Sequence, residues 1–371
     1  MKSLTPLVCE NLLYTHVVGT GGIGSGMFFL LEGNRTMSRD ESRPGRQLNS
    51  KDYCKQHVIL HYLAVLLGAG AGAFEVYPVG KVGDDGQGWA LLAEMDSVGM
   101  ATKGVTATKD AATLFSVCFQ YPDSTGGNIT TSNGASSLLA AGEVAAFLKT
   151  FKARGRGMAV AVPEVPLEAR LALLMEGRKR GWFNAAAFTS GEAAGFDALG
   201  GLSLADLICV KRDEAAALAG LDAEAAQAQD IARSCAGILL ARNPSGMMIV
   251  TDGSQGTWAC RAGHACFVPP PPADGLVSAA GASNALLAGT LAGLACGLPF
   301  MKEGASGRFG QTPLDSAVEL GVLLASFSST SPDTIHWGAD AVSLAEYAQA
   351  RGVAFSGRFA ALFPQPIQSS N

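Results

Sequence analysis

Short apolar runs and longer stretches of helical periodicity alternate along most of this chain. Residues 15–21, THVVGTG, read as a first buried strand. Residues 53–68 carry apolar positions at helical spacing and stop at Gly68. Segment 74–80 reads as a strand, 81–88 as a turn, 89–99 as a helix and 112–121 as a further strand. From residue 140 the alternation is regular. Helix 140–153, strand 158–164, helix 166–180 and strand 183–189 follow one another. Then come strand 206–211, helices near 213–220 and 224–242, strand 246–253 and short strands within 257–268. Helices 284–297 and 312–328 close the pattern. Strands alternating with helices predict a mainly parallel sheet covered on both faces. Two polar stretches break the rhythm. Residues 32–52 are charged and turn-rich, a loop or a lid, and residues 122–134 form a polar loop. Between about 15 and 125 the strands crowd together, the pattern of a small lid sheet on one large α/β domain.

Composition narrows the function classes. The chain has 371 residues, 48% hydrophobic and only 16% charged, which suits a tightly packed core rather than a disordered chain. A net charge of −5 supplies no global field toward nucleic acid or anionic membrane. No apolar run is long enough to span a bilayer, and the first residues lack a signal-peptide core, so a cytoplasmic location is expected. The eight cysteines contain no CxxC pair and are expected to be free thiols. Cys54, His57 and His61 have metal-like spacing without a visible fourth ligand, and Cys260, His264 and Cys266 form a looser cluster in a hairpin. Ordinary core or surface roles are the expectation for both groups.

Candidate chemistry concentrates in four places. In GTGGIGSG, Gly19, Gly21 and Gly24 satisfy the dinucleotide spacing G-x-G-x-x-G after a strand, and Glu41 lies about 20 residues on. That fingerprint needs a helix after Gly24, whereas MFFLLEGN reads as a strand. Close backbone packing, or a sugar-side loop containing Gly21 and Gly22, is the competing reading. Residues 275–289, GLVSAAGASNALLAG, read as a strand end, a small-residue turn and a helix start. The N–H groups of residues 281–284 are then free donors for an anion. VTDGSQG, residues 250–256, leaves a strand through two glycines. VKRDEAAALAG, residues 210–220, places Lys211, Arg212, Asp213 and Glu214 at a strand end, where a plain capped helix would look the same.

In order, GKVGDDGQG, ADLICVKRDEAAALAG, IVTDGSQGTWA and GLVSAAGASNALLAGTLAGLACG resemble the ribokinase-like (PfkB-type) carbohydrate kinases, over roughly residues 12–355. The resemblance implies a three-layer α/β/α sandwich with a small β lid, formed by residues 1–371 as one domain. Lid and sugar-side segments would lie within 20–50 and 110–135, and a nucleotide-side half in 205–355. It implies ATP with Mg²⁺, a small carbohydrate or phosphorylated metabolite as partner, and a homodimer through the lid, with no nucleic acid or membrane. It places nucleotide-side roles on Lys211, Glu214, Thr251, Gly253, Gly256 and Ser278, with Glu214 acting indirectly on Mg²⁺. The anion hole falls on Gly281, Ala282 and Ser283. The family's early sugar-binding Asp and its Gly-Gly-Asn lid motif are not recognisable; Gly21, Gly22, Arg43 and Arg46 stand in their place and, with Asn133, are the substrate-side candidates.

The departures carry as much information. The family motif D-T-x-G-A-G-D ends in the Asp that activates the acceptor hydroxyl. Here Ser278 through Asn284 read S-A-A-G-A-S-N. The backbone hole survives such a change, but an amide does not accept a proton near neutral pH. The family's N-x-x-E becomes Lys211-Arg212-Asp213-Glu214. If Lys211, Ser278 and Asn284 share one cleft, its charge rises by about +3 and phosphate is held with less need of Mg²⁺. Losing a general base typically costs ~10²–10⁴ in rate. Positioning carries much of phosphoryl transfer, so a slow kinase is one reading. Asp274, four residues before Ser278, would point to the wrong end of a strand to replace the base. A non-catalytic binder of nucleotide or phosphometabolite is the second reading. A dinucleotide enzyme using Gly19–Gly24 is the third.

Overall fold

Every residue from His16 to Thr20 is buried in the computed structural model, because this part of the first apolar run becomes an interior strand flanked on both sides. The structure describes residues 4–123, 125–272, 274–302 and 309–364. In chain order the elements begin with β1 (His16–Thr20), β2 (Gly24–Leu31), β3 (Gly45–Tyr53) and α1 (Lys55–Leu66). Next are β4 (Glu75–Gly83), α2 (Gly86–Ser97), β5 (Gly104–Thr108), β6 (Leu114–Gln120) and β7 (Gly126–Thr130). Then come α3 (Ala141–Thr150), β8 (Gly157–Ala161), α4 (Leu167–Lys179), β9 (Phe183–Ala186), α5 (Ala193–Ala198) and α6 (Gly201–Leu204). β10 (Leu207–Lys211), α7 (Arg212–Ala219), α8 (Ala228–Arg242), β11 (Met247–Thr251), β12 (Thr257–Arg261) and β13 (His264–Val268) follow. The chain closes with α9 (Ala282–Ala295), α10 (Ala317–Ser328), α11 (Ala341–Ala350) and α12 (Gly357–Ala360).

The large sheet has nine strands in the order β13-β12-β11-β10-β9-β8-β1-β4-β5. It is parallel from β5 to β11 and antiparallel through β12 and β13. Successive strand residues face opposite layers. Val17, Leu207 and Ile249 join the core beneath α1, α9 and α10, while Ile208, Met248 and Val250 join the one beneath α4, α7 and α8. Both faces are therefore apolar, which is why these strands read as continuous hydrophobic runs. No helix among the described residues is long and apolar enough to cross a membrane.

A second sheet, β3-β2-β6-β7, stands apart as the lid. Its β2 and β6 are parallel and its outer pairings antiparallel. Two of its strands correct the sequence reading. The latter part of 32–52 is β3, and the polar stretch 122–134 contains β7. Both are largely exposed, so their ladder bonds form without the apolar alternation that marks a buried strand. β5, the short helices of 193–204 and the helices after residue 340 also lie beyond what periodicity showed. Conversely, no strand precedes the turn at 281. Residues 276–279 are a loop pinned by amides of Val277 and Ser278 donating to the Ser329 carbonyl at 2.8 and 3.1 Å.

β2 begins at Gly24, so no helix follows the glycine run and the dinucleotide fingerprint lacks its anion site. The glycines serve contact. A Cβ on Gly21 would stand 2.5 Å from Val162, and one on Gly22 would stand 2.6 Å from a Glu164 carboxylate oxygen. Cys54, His57 and His61 are buried along α1, and among the described residues no three His, Cys, Asp or Glu side chains group to hold a metal ion.

Candidate active site

The C-terminal ends of β10 and β11 and the first turn of α9 meet around one cavity of about 420 Å³. That lies within the usual size range of small-molecule pockets. Lys211 closes β10 and caps α7, Thr251 closes β11, and Gly253 and Gly256 shape the loop beyond it. Thr251 Oγ1 and Ser283 Oγ lie 3.3 Å apart, joining the β11 end to α9. The other end of the cavity is apolar, with Leu276, Leu286, Val322 and Tyr347 among its walls. The Arg351 guanidinium stacks 3.7 Å from the Tyr347 ring and donates to the Asp274 carbonyl at 2.6 Å, holding the loop over this end. Asp274 sits in a turn on the cavity wall rather than on a strand. Asp213 and Asp252 line the cavity too, but Asp213 accepts from Ser190 at 2.8 Å and Asp252 pairs with Arg212 at 3.3 Å.

At the α9 start the backbone donors sort themselves. The Ala282 amide bonds the Ala279 carbonyl at 3.3 Å, so it is not free. Among the described residues the amides of Gly281, Ser283 and Asn284 have no acceptor. Ser278 is buried and its Oγ accepts from the Ala280 amide at 3.3 Å, which shapes the turn and leaves Ser278 off the cavity wall. Gly281 adopts φ +80°, and a Cβ there would lie 2.6 Å from the Thr334 carbonyl oxygen. Thr334 also bonds β3 twice, its amide donating to Lys51 O at 3.2 Å and its Oγ1 accepting from Tyr53 N at 2.8 Å. The lid root and the turn before α9 thus share one residue. Gly281→Ala is expected to cost about 1–3 kcal/mol of stability, from clash and left-handed strain together. Thermal unfolding measures this, and an unchanged midpoint would refute the packing argument.

Glu214 is half-buried and lies off the cavity wall. Its Oε2 accepts from the Lys211 amide at 2.7 Å, closing the first turn of α7. Burial raises its carboxyl, while the Lys211 amide and ammonium, and more weakly Lys55, pull it back. Lys55 and its partner were missed in the sequence. Its Nζ meets Glu164 at 2.6 Å. Burial lowers this ammonium, but Glu164, helped by Glu214, more than restores it, to about 12. Glu164 holds a rare φ of +80° for a non-glycine residue, a mark of functional or packing constraint. Beside it Asp52, at the lid root, accepts from Ser116 Oγ, and burial raises its carboxyl. Asp52, Lys55 and Ser116 come from β3, α1 and β6, and Glu164 from the loop after β8, so no single motif signals the group.

The other substrate-side candidates fall outside this cluster. Arg43 is almost fully covered and pairs with Glu41 at 2.7 Å inside the loop. The Ser38 amide and the Arg35 and Arg43 guanidiniums hold the Glu41 carboxyl down at about 2, so Arg43 is engaged within the loop. Arg46 is exposed opposite Leu30 on β3, and Asn133 is exposed after β7; neither side chain has a partner among the described residues. In GKVGDDGQG, Asp85 caps α2 through the Gly88 amide at 2.8 Å and grips the Thr113 amide at 2.7 Å. That motif is thus structural, tying β4 to the base of the lid.

The chain matches the family described as pfkB family carbohydrate kinase over residues 59–340. No curated protein matches it. Similar solved structures include a nucleoside kinase from Burkholderia thailandensis in complex with inosine, at 16% identity, TM-score 0.65, covering 92% of this chain and 100% of that one. A ribokinase from Cryptococcus neoformans var. grubii in complex with ADP shares 16% identity at TM-score 0.65, covering 90% of this chain and 99% of that one. A carbohydrate kinase from Agrobacterium tumefaciens shares 18% at TM-score 0.62, covering 92% and 98%. At these identities the likeness establishes the fold, a ribokinase-like α/β sandwich.

Proposed function

Since this chain belongs to the pfkB family of carbohydrate kinases, we propose that it binds ATP in the 420 Å³ cavity and transfers phosphate slowly to a hydroxyl of a sugar, free or within a nucleoside. One observation carries the reading. The apolar end of the cavity, fit for a base, runs into a polar end made by Lys211, Thr251 and the α9 turn, fit for phosphates. In this reading the amides of Gly281, Ser283 and Asn284 receive the transferred phosphoryl oxygens at the positive end of a helix. Lys211 meets phosphate as a point charge. The acceptor lies toward Lys55, Glu164 and Asp52 under the lid. Mg²⁺ bound with the triphosphate would neutralise developing charge. Glu214, off the cavity wall and with its Oε2 engaged by the Lys211 amide, is the carboxylate suited to act on it indirectly.

Asn284 favours a second reading, a binder that does not catalyse, because the first turn of α9 contains no acidic residue. One experiment separates the two. Calorimetric titration with ADP and ATP, with and without Mg²⁺, is expected to show binding in either case. Lys211→Ala is expected to weaken it roughly tenfold, the loss of one charge-assisted contact. Turnover of ATP above background on a panel of sugars and nucleosides selects the kinase. Failure to bind any nucleotide removes the kinase and the nucleotide binder alike, leaving only a phosphometabolite as the ligand of the second reading.

A further inference from the structure

The segment ahead of β1 is strapped across the back of the molecule by backbone bonds. Leu7 N donates to Leu66 O at 2.9 Å, Val8 N to Leu362 O at 2.8 Å, and Leu13 N to Ala295 O at 2.8 Å. The last bond sets the strap against the C-terminal end of α9, where Cys296 is the capping residue. There the thiols of Cys9 and Cys296 adjoin. These two cysteines are also set apart by access. Both are partly exposed, whereas Cys54, Cys118, Cys209, Cys235, Cys260 and Cys266 are buried.

We propose that Cys9 and Cys296 form a peroxide-sensitive dithiol, which oxidises to a disulfide that locks the strap onto α9.

The two thiols have unequal roles. The adjoining Cys296 thiol outweighs burial and brings the Cys9 thiol down to about 7. The same contact, together with burial, holds Cys296 protonated. Cys9 is therefore the attacking thiolate near neutral pH. Its sulfur attacks one oxygen of hydrogen peroxide, the O–O bond breaks, and the released hydroxide takes the Cys296 proton and leaves as water. The Cys296 thiolate then attacks the Cys9 sulfenic acid. An S–S bond forms, the S–O bond breaks, and the departing hydroxide takes from solvent the proton that Cys9 released on ionising, leaving as the second water. Two thiols lose two electrons and peroxide gains them.

The test is peptide mapping of the whole protein after a few equivalents of hydrogen peroxide. A single peptide cross-link between Cys9 and Cys296, reversed by dithiothreitol, is expected, with the other cysteines still alkylated after denaturation. The unfolding midpoint of the oxidised protein is expected to rise by roughly 5 °C, because the bridge constrains the unfolded chain. In Cys296→Ser, Cys9 is expected to accumulate as a sulfenic acid trapped by dimedone. Recovery of Cys9 and Cys296 as unmodified thiols would overturn the proposal. So would a cross-link that joins either one to a different cysteine. The mapping needs no substituted protein, so a variant that fails to fold does not blunt it.

Discussion

Asn284→Asp is expected to raise phosphoryl transfer by ~10²–10⁴, the range a positioned general base contributes. Asn284 lies in the first turn of α9, beside the unbonded amides of Gly281 and Ser283. Its carboxamide has the shape of a carboxylate but cannot take the acceptor's proton. The substitution adds no bulk. A negative charge in a first helical turn is also favourable, by about 0.3–1 kcal/mol, so folding is not at risk. A base at this position also adds an acid limb to the pH–rate profile, falling as the new carboxylate protonates. Two measurements check this: kcat on whichever acceptor the panel selects, and its pH dependence. A variant that binds nucleotide normally yet turns over no faster would show that position 284 is not the vacant base position. Asp213, Asp252 or Asp274 on the cavity wall would then become the groups to replace.

Acid is expected to destabilise this protein steeply below about pH 6.5, and His57 and His61 are the main cause. Both rings are fully buried along α1, and their four nitrogens have no hydrogen-bond partner among the described residues. They pack against aromatic edges, His57 4.9 Å from Tyr53 and His61 4.7 Å from Trp337. Burial drives the His57 imidazole far down, with smaller help from its neighbour, and brings His61 down to about 3. The unfolded chain protonates each near its ordinary value of ~6.5. Below that pH the unfolded state binds more protons than the folded one, so stability falls as pH falls. The loss continues down to about 3 for His61. Each histidine contributes about 1.4 kcal/mol per pH unit, so going from pH 6.5 to 5 costs roughly 4 kcal/mol for the pair. Urea unfolding at pH 7.5 and pH 5 measures the drop. His61→Phe is expected to reduce the slope by close to half, since phenylalanine fills the same aromatic niche without titrating. Parallel stability curves for the variant and the parent would sink the assignment.

The large sheet, its edge strand β5 apart, was legible because its central strands are buried on both faces, and such strands leave a local mark in the residue order. The order of motifs also identified the family, because the loops after β10 and β11 and the turn before α9 are each continuous in sequence. The cavity itself draws on three of those pieces, and Thr251 and Ser283 meet across 32 positions of chain only through folding. The lid strands β3 and β7 were illegible because exposed strands carry no obligatory apolar period. Arg43 looked like an anion ligand until its loop folded Glu41 onto it.

Residue order alone determined the alternation of strands and helices, the small residues of the α9 turn and the absence of a carboxylate at 284. These are properties of neighbouring residues, and local sterics and backbone hydrogen bonding express them wherever the segment lies. Only the tertiary structure decided that Glu164, Lys55 and Asp52 share one charged cluster, that Ala282 spends its amide on Ala279, and that Thr334 couples the lid root to the turn before α9. Electrostatic pairing and steric contact depend on distance in space, and the fold sets that distance through long-range packing that no local window contains.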